Sequence, residues 1–170
     1  MRSIGNRQVA TASAAGGVWP LREQAQWQKE GLWPNMWPSY WRILFTGSNT
    51  AFTYIAEIEL RESIGGANAC SGGTASASSI YSVGYEASKA LDLNNATSWV
   101  SSGVSLPSWW MYQFQGGGIS IQQISITNGT VTHIPTAFEL QYSNDSNSWV
   151  TVGSWSGQTF GTGETKTYNI

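Results

Sequence analysis

From Tyr40 onward, apolar side chains recur mostly at every second position. YWRILFT (40–46) and TYIAEIEL (53–60) are rich in β-branched and aromatic residues, which pack well on a pleated surface. WWMYQFQ (109–115) alternates, and AFELQYS (137–143) sends Phe138, Leu140 and Tyr142 to one face, the period of a half-buried strand. ISIQQISIT (119–127) changes phase at Gln122-Gln123, with Ile119 and Ile121 on one phase and Ile124 and Ile126 on the other. A bulge or bend between two half-strands is expected there. SWVTV (148–152) and TKTYNI (165–170) complete the set, and NDSN (144–147) predicts a tight turn. The Gly/Ser/Ala-rich stretch 64–79 predicts a loop or a weak edge segment. Many short strands separated by turn signals predict an all-β fold, an antiparallel β-sandwich or jelly roll.

Before Tyr40 the pattern differs. Residues 1–17 are small and polar without periodicity and predict an extended or disordered arm. Pro20 and Gly31 bracket LREQAQWQKE, start and stop signals for one short helix over about 20–30. A lone helix of about ten residues is marginal in water, so Leu21 and Ala25 are expected to face a partner. LWPNMWPSY then reads as a stiff linker. The expected organisation is an arm and helix over 1–39 and a sandwich over 40–170.

Composition narrows the function classes. Charged residues make up 11% of the chain, with 8 basic against 10 acidic and no basic run, so nucleic acid is an unexpected partner. No apolar run reaches the length of a membrane span. The opening MRSIGNRQVATASAAGG lacks the apolar stretch of a secretory signal, and an extracellular role would then need another exit route, such as release in a phage particle. Cys70 is the only cysteine, which excludes an internal disulfide. His133 is the only histidine, and GSWSG (153–157) has Trp where a nucleophile would stand. A zinc site lacks ligands. Glu57 and Glu59 share one strand face, but the plainer reading makes one structural and the other solvated. No enzyme is expected.

KALDLNNATSW (89–99) is the strongest local signal. A carboxylate, an amide and a hydroxyl within six residues of a tight segment suit a hard cation such as calcium, which takes six to eight oxygens. Asp92 alone carries too little charge, so a second carboxylate would have to come from elsewhere. The alternative is an Asx-turn in which Asp92 caps local amides.

ALDLNNATSW, WWMYQF, IQQISIT and PTAFELQYSNDSNSWVTV, in that order, resemble the discoidin-like (coagulation factor C-type) family over about residues 40–170. The resemblance implies an eight-stranded jelly-roll β-sandwich and a glycan-binding module. In most members, strands like YWRILFT and YIAEIEL close the domain. Here they come first, so the resemblance implies a circular permutation that moves the last hairpin to the front, with the chain ending near Tyr40. It also implies a structural Ca²⁺ held by Asp92 and Glu57 side chains, the carbonyls of Lys89, Asn94 and Ala56, and the carbonyl and hydroxyl of Thr97. Sugar-binding members use aromatic loop residues at one end of the sandwich, which makes Tyr85, Trp109, His133 and Trp155 candidates, with Phe160 beside them. Trp99, Trp110 and Trp149 fall at the family's core positions. Finally, GGVWPLREQAQWQKEGLWP (16–34) resembles a segment common in tailed-phage structural proteins.

The combined expectation is a non-enzymatic bacteriophage virion structural protein, in capsid or tail. Residues 1–39 would dock on other virion proteins, or else fold back on the sandwich. The chain would be a homo-oligomer in the particle, and its discoidin-like domain would bind carbohydrate on the host surface. The alternatives are a purely structural decoration or tail component, and a cellular carbohydrate-binding module.

Overall fold

The computed structural model describes residues 37–103 and 106–170. The expected arm and the helix over 20–30 lie outside them. Among the described residues nine strands run in chain order: β1 (Tyr40–Ser48), β2 (Tyr54–Arg61), β3 (Thr74–Ala77), β4 (Trp99–Val100), β5 (Ser108–Gln113), β6 (Gln123–Asn128), β7 (Pro135–Ser143), β8 (Val150–Trp155) and β9 (Thr165–Asn169). They form two antiparallel sheets, ordered β3-β5-β1-β7-β8 and β4-β2-β6-β9. Residues 64–79 do supply a weak edge, the four-residue β3. Among the described residues no helix is long and apolar enough to cross a membrane.

Alternation on β1 buries Trp41, Ile43 and Phe45, which meet Trp110, Tyr112, Phe138 and Leu140 of the same sheet in the core. The facing sheet contributes Ile55, Ile58, Leu60, Trp99, Ile124 and Ile126. Ile55 and Ile58 are three apart, yet both are fully buried. A bulge resolves this: Ile55 pairs with Asn128 and Glu57 with Thr127, so Ala56 has no partner on β6. One extra residue resets the phase of the strand. The ring of Phe45 lies 5.9 Å from that of Trp99, and Phe138 lies 5.0 Å from Tyr168, joining the two sheets. Each buried indole finds an acceptor: Trp41 donates to the Ile119 carbonyl, Trp99 to Ser79 and Trp110 to Ala87.

Three expectations are corrected. Residues 119–122 are not a half-strand: β6 starts at Gln123, and the preceding segment is irregular. Its backbone serves neighbouring segments, since the Ile119 amide donates to the Pro38 carbonyl and the Gln122 carbonyl accepts from the Ile170 amide. The strands β1 and β2 are not a hairpin, because they lie in opposite sheets and 49–53 carries the chain across. Trp149 is not a core residue; it is half-buried under the Arg42 guanidinium, 3.9 Å from its ring centroid.

The turn between β7 and β8 is held by Asp145. Its Oδ1 accepts from the amides of Ser148 (2.8 Å) and Asn147 (2.9 Å) and from the Ser143 hydroxyl (2.8 Å). The Ser148 and Asn147 amides, then the Ser143 hydroxyl, pull its pKa down to about 2. A depressed folded-state pKa means a contribution present above the ordinary value of 3.8 and lost as pH falls toward 2. An NMR titration of the Ser148 amide should therefore show a midpoint near 2 rather than 3.8, and Asp145→Asn should remove it. A midpoint at the ordinary value would refute the cap.

Candidate functional site

Two sites emerge. The first joins β2 to the loop that follows the 3₁₀ turn Ala87–Ala90. The bulge at Ala56 places Glu57 on this loop, and the Asn94 amide donates to both Glu57 Oε1 (2.8 Å) and Asp92 Oδ1 (3.1 Å). The Thr97 hydroxyl lies 2.7 Å from Asp92 Oδ1 and 2.8 Å from the Asn94 carbonyl. Lys89 Nζ stands 3.6 Å from Asp92 Oδ2. Leu93, at φ 59°, makes the sharp turn that brings Asp92 and Asn94 together. Of the six expected ligand residues, Glu57, Lys89, Asp92, Asn94 and Thr97 thus meet in one neighbourhood, and Ala56 precedes Glu57 on β2.

The electrostatics are those of a shared site. Burial pushes the Glu57 carboxyl up to about 7, against the pull of the Asn94 amide and with the Asp92 charge adding to the rise. Asp92 goes the other way: burial raises it, but the Thr97 hydroxyl, the Asn94 amide and Lys89 outweigh that and hold it below its ordinary value. Glu57 is only 7% exposed, and its Oε2 is buried with no hydrogen-bond partner among the described residues. A buried carboxylate oxygen without a donor is costly, and a cation is one remedy. Among the described residues no three His, Cys, Asp or Glu side chains cluster, so the donor set is two carboxylates with carbonyl and hydroxyl oxygens, the hard set suited to calcium rather than zinc. The Asn94 carbonyl is already engaged by the amide and hydroxyl of Thr97.

The second site is a cleft of about 280 Å³ lined by Phe52, Tyr54, Tyr81, Tyr85, Val100 and His133. The 49–53 crossing supplies Phe52, β2 supplies Tyr54, the loop before the 3₁₀ turn supplies Tyr81 and Tyr85, and the loop before β7 supplies His133. Two glycines make room: a Cβ on Gly103, which sits at φ 73°, would fall 2.1 Å from the Phe52 ring, and one on Gly129 would fall 2.4 Å from Tyr54. Thr50 Oγ1 lies 2.8 Å from His133 Nδ1 and pins the imidazole. Among the described residues no Asp, Glu, Lys or Arg lines the cleft.

A model of the F5/8 type C domain family matches residues 74–170. The chain belongs to that family. No curated protein and no solved structure matches it significantly. F5/8 type C domains are carbohydrate- and ligand-binding modules. The match begins after β2, so β1 and β2 precede it.

Of the sugar-site candidates within the F5/8 type C domain, the fold brings together Tyr85 and His133 alone. Trp155 packs on Phe138 (5.3 Å) and Tyr168 (5.1 Å) at the edge of the core. Trp109 is the second residue of β5, half-buried and not among the residues that line the cleft, and Phe160 is 4% exposed, in the core. Phe52, Tyr54, Tyr81 and Val100 escaped the sequence reading. The signal for Tyr81 was its spacing of four from Tyr85 in a polar loop; Phe52 and Tyr54 look like ordinary strand residues until the crossing is known.

Proposed function

We propose that this chain is a non-enzymatic component of a bacteriophage particle whose F5/8 type C sandwich binds carbohydrate on the host surface at the aromatic cleft. The observation that carries the glycan reading is the cleft itself: rings and tyrosyl hydroxyls without a carboxylate among the lining residues. Apolar C–H faces of sugars suit aromatic walls and their hydroxyls suit the polar rim, whereas hydrolysis would need a carboxylate pair. In this proposal residues 1–39 dock on other virion proteins and the chain assembles as a homo-oligomer; support comes from the phage-like segment 16–34. Glu57 and Asp92, with oxygens from Ala56, Lys89 and Thr97, hold a structural calcium ion, supported by the unpartnered Glu57 Oε2. The early position of β1 and β2, ahead of the family match, reflects a circular permutation.

An array of host-envelope polysaccharides tests the glycan reading. The full chain is expected to bind a subset, and Tyr85→Ala, at the cleft wall, to lose on the order of tenfold or more in affinity. Binding that ignores Tyr85→Ala, or no binding at all, overturns it.

A further inference from the structure

The cleft walls close on themselves. Ring centroids run Phe52 to Tyr81 at 5.6 Å, Tyr81 to Tyr85 at 5.8 Å, Tyr85 to Tyr54 at 6.4 Å, Tyr54 to His133 at 6.3 Å and His133 back to Phe52 at 5.3 Å. Four of the five neighbouring pairs are steeply inclined, by 74°, 80°, 65° and 60°, and only Tyr54 and His133 lie nearly parallel, at 21°. Inclined neighbours in a closed circuit form a cup, not a platform. Beside any sugar ring that stacks on one wall, a pocket of several inclined planes suits a compact, rounded substituent. Taken as a flat pentagon, a circuit with sides of this length has its centre about 5 Å from each centroid, inside the ~6 Å over which an aromatic ring attracts a cation.

We infer that the cup receives a trimethylammonium group, as in choline, carried as a substituent on the surface polymer. This rests on the glycan-binding reading of the same cleft and names the group that enters it. Aromatic rings supply negative quadrupole, the methyls supply apolar surface to bury, and among the described residues no Lys or Arg lines the cleft, His133 being the one lining group able to take up a positive charge. The chain's net charge of −2 adds no opposition. A trimethylammonium donates no hydrogen bond, so it asks nothing of the Nδ1 edge of His133 that Thr50 engages. Tyr81, 58% exposed, stands at the cleft's open side, so replacing it changes the cup without disturbing the core.

Calorimetric titration of the full chain with choline, and with its neutral isostere 3,3-dimethylbutan-1-ol, tests the charge preference. Choline is expected to bind on the order of tenfold more tightly than the isostere, and Tyr81→Leu, melting as the wild type does, to lose that preference. Equal binding of the two, or no choline binding, overturns the inference. If choline-free polysaccharides still bind through Tyr85 while choline does not, the inference fails and the glycan reading stands. Retention on a choline-substituted polysaccharide, competed by free choline, supports both. Retention by phosphatidylcholine vesicles alone keeps the cup's chemistry and overturns the glycan carrier.

Discussion

Calcium added to EDTA-treated protein at pH 7.5 is expected to raise its melting temperature, and Asp92→Ala to abolish the rise. An ion that binds only the folded chain stabilises it by about 2.7 kcal/mol at a hundredfold its Kd, which in a domain of this size is a shift on the order of 10 °C. The site is strained in a way the ion would relieve: Glu57 is buried beside Asp92 with Oε2 unpartnered. The pH dependence has a definite sign. The folded-state pKa of Glu57 is raised from 4.5 to about 7, so in EDTA, between those two pH values, the folded state holds a proton the unfolded chain has released. That contribution is complete below 4.5 and is lost as pH rises to about 7. Calcium binding, which needs the carboxylate, should strengthen over the same interval, so the calcium-induced shift should be small at pH 5 and large at pH 7.5. Glu57→Gln separates the two effects: in EDTA at pH 7.5 it should be at least as stable as the wild type, because like-charge crowding is gone, yet indifferent to calcium. A wild-type melting curve unmoved by calcium at pH 7.5 would refute the site.

The elements with a clean period of two were legible because one face of each meets the core: β1 and β7 have nearly the expected bounds. Residues 119–122 misled because Ile119 and Ile121 are apolar for a different reason. They pack against the core from an irregular segment whose backbone bonds to Pro38 and Ile170, and periodicity does not distinguish a buried strand from a buried connection. The two-residue β4 is too short for any pattern. The convergence of Glu57 on the 89–97 loop came from family likeness, since nothing local links residues 37 positions apart in the chain. The cleft was half legible: Tyr85 and His133 were singled out as loop aromatics, but Phe52 and Tyr54 required knowing that 49–53 crosses between sheets rather than turning a hairpin. Trp155, also a strand-end aromatic, looked equivalent in sequence, and its packing on Phe138 and Tyr168 sets it apart.

The segment matched by the family, extended back to residue 62 and expressed alone, is expected not to fold. β1 lies between β5 and β7, and β2 between β4 and β6, so removing both splits each sheet. The core would lose Trp41, Ile43, Phe45, Ile55, Ile58 and Leu60, each 4% exposed or less. At about 1.5–3 kcal/mol per buried side chain, the six together forfeit about 9–18 kcal/mol, as much as the whole 5–15 kcal/mol by which a domain is stable. Covalent order should matter far less than presence. Pro38 and Ile170 bond to the same short segment, at Ile119 and Gln122 (3.2 and 3.0 Å), so the two anchor points are at most three residues of chain, roughly 10 Å, apart. Residues 62–65 are exposed, and chain breaks are tolerated at such loops. A rearranged chain that begins at 62, runs to 170 and continues through a short Gly/Ser linker into 37–61 should therefore fold cooperatively, with the melting temperature and calcium response of 37–170. If 62–170 folds unaided, β1 and β2 are an addition rather than displaced strands of the module. If the rearranged chain fails to fold while 37–170 does, the order of strands carries information that pairing alone does not. Success would show that the sandwich is specified by which strands meet, with the break between first and last residue free to move around it.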